Sequence, residues 1–223
     1  MRDPVTCANL FKPLVAKKPH DLQQPTVFVI DDDKTQLDVL SRLLGSAGYA
    51  VESFTSARAF LARPRFDGCG CILLDMVMPE ISGLELQQEL GKLDDTMPII
   101  FVTGHQDIAT CVNVMKQGAL DFLAKPVDRL TLLSAVCAAT GKHAVMLTER
   151  CVRAAARARL ATLTVRERDV LMLVLTGRLN KQIAAAIGIA ESTVKIHRAH
   201  VMLKLRAKSV AELAHLVQCA EVP

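Results

Sequence analysis

From Thr26 the chain alternates short apolar runs with longer amphipathic stretches. The runs are VFVI (27–30), VESF (51–54), CILL (71–74), IIFV (99–102) and DFLA (121–124). Four of the five are β-branched or nearly continuous in apolar residues, as in strands covered on both faces. Between them lie segments with helical spacing. Lys34 to Ala47 carries Leu37, Leu40, Leu43 and Leu44, and Gly83 to Leu93 carries Leu84, Leu86, Leu90 and Leu93. Ser56 to Ala62, Asp107 to Gln117 and Asp128 to Ala139 complete the set. Five β-α units in about 115 residues predict a doubly wound parallel α/β sheet.

From Leu163 the strand signal disappears. Thr164 followed by Glu167 reads as a capping box that opens a helix running to about Thr176 and stopping at Gly177. Asn180 opens a second helix, NKQIAAAIG, ended by Gly188. Ser192 or Glu191 opens a third, reaching about Leu205, and Ser209 opens a fourth, VAELAHLVQ. Two short helices joined by GIAES, with a basic third segment, form a helix-turn-helix pattern. Gly141 to Leu160, rich in Ala and Arg, predicts a helical linker continuing from the preceding domain. The expected division is a flexible, Pro-containing tail over 1–25, an α/β domain over 26–140, the linker over 141–160 and a small all-α four-helix domain over 161–223.

Charge sharpens this division. Residues 26–139 hold 9 Lys/Arg against 15 Asp/Glu, whereas residues 150–223 hold 13 against 5. The formal net charge of +4 therefore hides an acidic half and a basic half, and the basic half suits nucleic acid. Seven cysteines are scattered without a CxxC pair, as expected of reduced thiols. No apolar stretch reaches the roughly 20 residues of a membrane span, and the first 25 residues lack the apolar run of a signal peptide. The expectation is a cytoplasmic protein with no membrane partner.

In such a sheet the ligand site lies beyond the carboxyl ends of the strands. The first strand runs into Asp31-Asp32-Asp33, the third ends at Asp75, the fourth at Thr103 and the fifth at Lys125-Pro126. Clustered carboxylates suit a hard dication such as Mg2+ (or Mn2+), which offsets their repulsion and neutralises a phosphoryl group in transfer. A lone central carboxylate can act as nucleophile, with a Lys and a Thr on the phosphoryl oxygens.

The pieces VIDDD, ILLDMVMPEISG, FVTGH and GALDFLAKP, at these intervals, resemble the receiver domain of two-component response regulators. The resemblance implies a flavodoxin-like fold. It makes Asp75 the phosphoacceptor and Asp31, Asp32, Asp75 and the Val77 backbone carbonyl the metal ligands. It also makes Lys125 the phosphate-contacting lysine, Lys125-Pro126 a candidate cis bond, and Thr103 and Phe122 the switch pair. Asp33 is placed outside the metal's ligand set. The implied protein is a regulator rather than an enzyme, one whose receiver assists its own aspartyl phosphorylation and dephosphorylation.

LTVRERDVL, NKQIAAAIGIAESTVKIHRAHVMLKL and KSVAEL resemble the LuxR-type DNA-binding domain, with FixJ-like regulators the nearest group. The third helix has a core stripe of Val194, His197, Val201 and Leu205, and family members place Lys195, Ile196 and Ala199 near base edges. Ala199 cannot donate a hydrogen bond but can meet a thymine methyl. Asn180, Lys181, Thr193, Arg198 and Lys204 read as phosphate or backbone contacts, and His200 as either. The basic linker is an alternative DNA contact. The partners implied are double-stranded DNA, a separate histidine kinase, RNA polymerase, and a second copy of the chain on phosphorylation. That pairing would use 105–121, with His105, Met115 and Ala119, aided by Leu213, Leu216 and Val217 if these are not core. Competing readings are a phosphatase-like enzyme, which usually wants a second Asp two residues after its nucleophile where Val77 stands here, and a phosphorylation-independent DNA-binding regulator.

Overall fold

The computed structural model describes residues 24–93, 97–104 and 114–221. Two compact units divide between Leu147 and Thr148. The first contains β1 (Thr26–Ile30), α1 (Lys34–Ser46), β2 (Ala50–Phe54), α2 (Ala57–Leu61), β3 (Gly70–Asp75), α3 (Gly83–Lys92), β4 (Ile99–Thr103) and β5 (Asp121–Ala124). These strands form one parallel sheet in the order β2-β1-β3-β4-β5. Of the helix expected over 107–117, residues 114–116 are helical and 105–113 lie outside the described residues.

Strand periodicity sorts the core into two layers, because successive side chains point to opposite faces. Phe28, Ile30, Ile72, Leu74 and Phe101 face Phe60, Leu86 and Leu90 of α2 and α3. Val27, Val29, Cys71, Leu73, Ile100 and Val102 face Leu37, Leu40 and Leu44 of α1 and Leu132, Val136 and Ala139. Each large side chain buried this fully stabilises by about 1.5–3 kcal/mol relative to exposure. Burial on both faces explains why β1 and β3 read as unbroken apolar runs.

The helix expected over 128–139 and the helical linker expected to continue from it form one element, α4, which runs unbroken over Arg129–Ala161. The side chain of Asp128 accepts the Thr131 N–H at 2.9 Å and opens it. Ala, Leu and Arg favour continuation, and Gly141 costs only about 1 kcal/mol relative to Ala. By length and composition alone α4 is apolar enough to cross a membrane. Its Leu132, Ala135, Val136 and Ala139 pack on the sheet, and Arg150, Arg153, Arg157 and Arg159 follow.

The second unit is all-α: the end of α4, then α5 (Val165–Leu175), α6 (Asn180–Ile187), α7 (Glu191–Leu205) and α8 (Val210–Glu221). The Thr164–Glu167 capping box forms. Gly188 ends α6 with φ 69°, in the left-handed region that favours glycine. α6 starts at Asn180 as expected, and α7 starts at Glu191, two residues ahead of Thr193, with Ala190 as an N-cap that makes no side-chain hydrogen bond. Leu179 precedes α6, and its N–H is held by the Gln182 side chain. Val170, Leu171, Ile183, Val194, Val201, Leu205, Leu213, Leu216 and Val217 share one core. The last three residues are thus core, which removes them from any pairing surface.

Candidate functional site

The carboxyl ends of β1, β3, β4 and β5 assemble the expected rim. Asp31 and Asp75 are buried, Asp32 is exposed, and one carboxylate oxygen from each lies within 4.8 Å of the others. Backbone donors orient the two buried acids. Asp31 Oδ1 accepts the Asp33 N–H at 2.9 Å, and Asp75 Oδ1 accepts the Val77 N–H at 3.2 Å. Lys125 Nζ bridges them, 2.8 Å from Asp31 Oδ2 and 2.8 Å from Asp75 Oδ2. Burial would lower the Lys125 pKa, but the hydrogen bonds and charges of Asp31 and Asp75 outweigh it and hold it above the ordinary lysine value.

Asp33, the third member of the acidic run, accepts the Thr35 N–H at 2.8 Å and caps α1. This cap satisfies an orphan donor at the helix start and accounts for Asp33 lying apart from the cluster. Gly83 permits the close approach of α3 to the rim, because a Cβ there would sit 2.5 Å from the Asp75 carbonyl oxygen. Thr103, at the end of β4, is buried, whereas Phe122 on β5 is 40% exposed. The Lys125-Pro126 bond is cis. The all-oxygen donor set of Asp31, Asp32 and Asp75 fits a hard dication such as Mg2+.

The second unit presents α7. Val194, Val201 and Leu205 point inward, with His197 half-buried beside them. Lys195, Ile196, Ala199 and His200 are exposed, as is Lys181 at the start of α6. Thr193 is half-buried. Lys195 lies 3.6 Å from Glu191. Arg198 is not a free cation: its Nη1 donates to Asn180 Oδ1 at 2.9 Å, tying α7 to the start of α6.

Lys204, expected to contact phosphate, has partners within the unit. Its ammonium is 2.6 Å from Glu167 Oε2 and 3.4 Å from the Thr162 carbonyl. Glu167, read in the sequence only as half of a capping box, is buried. The Lys204 hydrogen bond and the Thr164 N–H pull its pKa down to about 2, against the opposing effect of burial. The sequence reading also missed Leu203, which is 76% exposed and stands on one helical stripe with Ile196 and Ala199 by its spacing. An exposed leucine on the polar side of an amphipathic pattern was the available signal.

Two family models match the chain: the response regulator receiver domain over residues 27–137 and the luxR family of bacterial regulatory proteins over residues 161–217. Nodulation protein W of Bradyrhizobium diazoefficiens is 45% identical over 190 residues, covering 85% of this chain and 84% of that protein. Transcriptional regulatory protein FixJ of Rhizobium meliloti is 42% identical over 197 residues, covering 87% and 94%. Among solved structures, the response regulator StyR superposes with a TM-score of 0.82 at 44% identity, covering 88% of this chain and 99% of that one. With a receiver built on an acidic rim and a helix-turn-helix unit of LuxR type, the chain belongs to the FixJ-like response regulators, two-component regulators of transcription.

Proposed function

We propose that Asp75 accepts a phosphoryl group from a partner histidine kinase and that this modification controls DNA binding by the second unit. The convergence of Asp31, Asp32 and Asp75 within 4.8 Å, with Lys125 on the same rim, carries the reading. An Asp75 carboxylate oxygen forms the new bond to phosphorus. The bond from phosphorus to the kinase imidazole nitrogen breaks, and its electron pair stays on that nitrogen. Asp31, Asp32, Asp75 and the Val77 carbonyl would hold Mg2+ (or Mn2+), which supplies charge neutralisation at the phosphoryl oxygens. Lys125 moves from its bridge between the acids to a phosphoryl oxygen, and Thr103 hydrogen-bonds a second. The drawn-in Thr103 leaves space for the ring of Phe122, whose exposure in the present geometry gives it a second position to occupy.

Double-stranded DNA is read by α7. Lys195, Ile196 and Ala199 face base edges, the exposed Ile196–Ala199–Leu203 stripe suits thymine methyls, and Lys181, Thr193, Arg198 and Asn180 meet the backbone. His200 takes either part. The working site is cytoplasmic, with RNA polymerase as the downstream partner. Borohydride trapping followed by mass spectrometry, after treatment with acetyl phosphate, tests the assignment: the label belongs on Asp75, and a label on another residue refutes it.

A further inference from the structure

We infer that Glu167 is a positioning residue for sequence reading, setting the placement of α7 through Lys204, and that Lys204 acts inside the protein rather than on DNA. The inference rests on the reading of α7 as the DNA-reading helix. Glu167 lies in the first turn of α5 with its side chain 4% exposed. Its Oε2 takes the Thr164 N–H at 2.8 Å and the Lys204 ammonium at 2.6 Å. Its Oε1 lies 3.7 Å from His200 Nδ1. His200 and Lys204 are four residues apart and therefore share one face of α7, a turn apart. A single buried carboxylate thus binds one turn of α7 through Lys204 and stands beside the preceding turn at His200, on the same helix that carries Lys195, Ile196 and Ala199.

The geometry favours this role over a phosphate contact. Drawing Lys204 away to DNA would leave the Glu167 charge buried without its counter-charge, which is costly. Lys204 is also fixed by the Thr162 carbonyl at 3.4 Å, so its ammonium has two partners within the unit. Base readout depends on placing short side chains within hydrogen-bond reach of base edges. A helix that rotates or slides loses that registration, while its overall attraction for phosphates persists.

The test uses the full-length chain with Glu167→Gln, Lys204→Met, Lys204→Arg and the double variant Glu167→Gln/Lys204→Met. The probes are a duplex enriched by the unmodified chain from a random DNA pool and an equal-length random duplex. Glu167→Gln and Lys204→Met should each weaken binding to the enriched duplex about tenfold, with random-duplex affinity changed by less than about twofold. The salt slope on random DNA should stay unchanged. Lys204→Arg should restore discrimination, and the double variant should lose no more than either single, because both remove one interaction. Lys204→Met that weakens both duplexes equally and lowers the salt slope by about one unit would make Lys204 a phosphate contact and overturn the inference. If the single variants unfold, the double variant, which leaves no buried charge unpaired, decides: unmodified discrimination in it also overturns the inference. Failure of the unmodified chain to enrich any duplex would instead overturn the DNA-reading assignment.

Discussion

Three adjacent aspartates, Asp31 to Asp33, have three different surroundings. Asp31 is buried against Lys125, Asp32 faces solvent, and Asp33 caps α1. Their chemistry follows from these surroundings rather than from their shared residue type. Asp75→Asn should abolish trapped phosphorylation, since an amide does not attack phosphorus. Asp32→Ala should reduce it by removing a metal ligand while leaving the fold intact, because Asp32 is exposed; Phos-tag mobility checks both. On the DNA side, Arg198→Ala should weaken binding to specific and random duplexes about equally and reduce the salt slope by about one. It also removes the Asn180 hydrogen bond, so melting should report a further loss of about 1 kcal/mol. Lys195→Ala should change sequence preference instead, at a cost of about 1–3 kcal/mol on the preferred site. Titrations in which Lys195→Ala affects both duplexes alike would reverse this division.

At the scale of elements, caps and close approaches decide what the helices can do. Glu167 both caps α5 and binds Lys204. Its folded pKa of about 2 lies below its ordinary value of 4.5. Its contribution to stability is therefore complete above about pH 4.5 and is lost as pH falls toward 2. Thermal melts of Glu167→Gln should accordingly converge on those of the unmodified chain as pH drops through that window; a constant gap would show that the charge contributes nothing. Gly83→Ala should destabilise the first unit and impair Asp75 phosphorylation together, since the new Cβ would strike the backbone of Asp75 itself. Most of this level was legible in the sequence. Strand runs buried on both faces stay unbroken, and the Thr164–Glu167 and Gly188 signals act locally, so β1, β3, α5 and the end of α6 could be read from adjacent residues. The continuity of α4 was legible too, because no proline interrupts the Ala- and Arg-rich stretch that follows the helix after β5. The partners of Lys204 and Arg198 were not, because Glu167 and Asn180 meet them only after α7 has packed across α5 and α6.

For the molecule as a whole, the question is how a change at Asp75 reaches DNA. A phosphoryl group brings negative charge and acceptor oxygens to a rim where Lys125 already bridges two carboxylates. Lys125 can follow the new charge, and Thr103 can turn toward it, because both stand at the ends of neighbouring strands paired through the Lys125 N–H and the Thr103 carbonyl at 2.8 Å. Phe122, 40% exposed, would be the adjustable element in the proposed switch. Burying that side chain would alter the surface expected to pair, of which Met115 is exposed and Ala119 is buried; His105, the other residue expected on this face, lies outside the described residues. An altered apolar surface of this kind suits an isologous contact with a second copy. Phosphorylation should therefore raise the dimer population, and with it the affinity for two-fold DNA sites whose half-sites lie about one helical turn apart. Since Leu213, Leu216 and Val217 are committed to the core of the second unit, the added association should come from the first unit and should survive their conservative replacement. Sedimentation with and without beryllofluoride measures the first step, and titration of a two-fold duplex under the same conditions measures the second. Phe122→Ala should leave Asp75 phosphorylation intact while abolishing the shift in sedimentation; a Phe122→Ala chain that still dimerises on beryllofluoride would separate the switch from this ring.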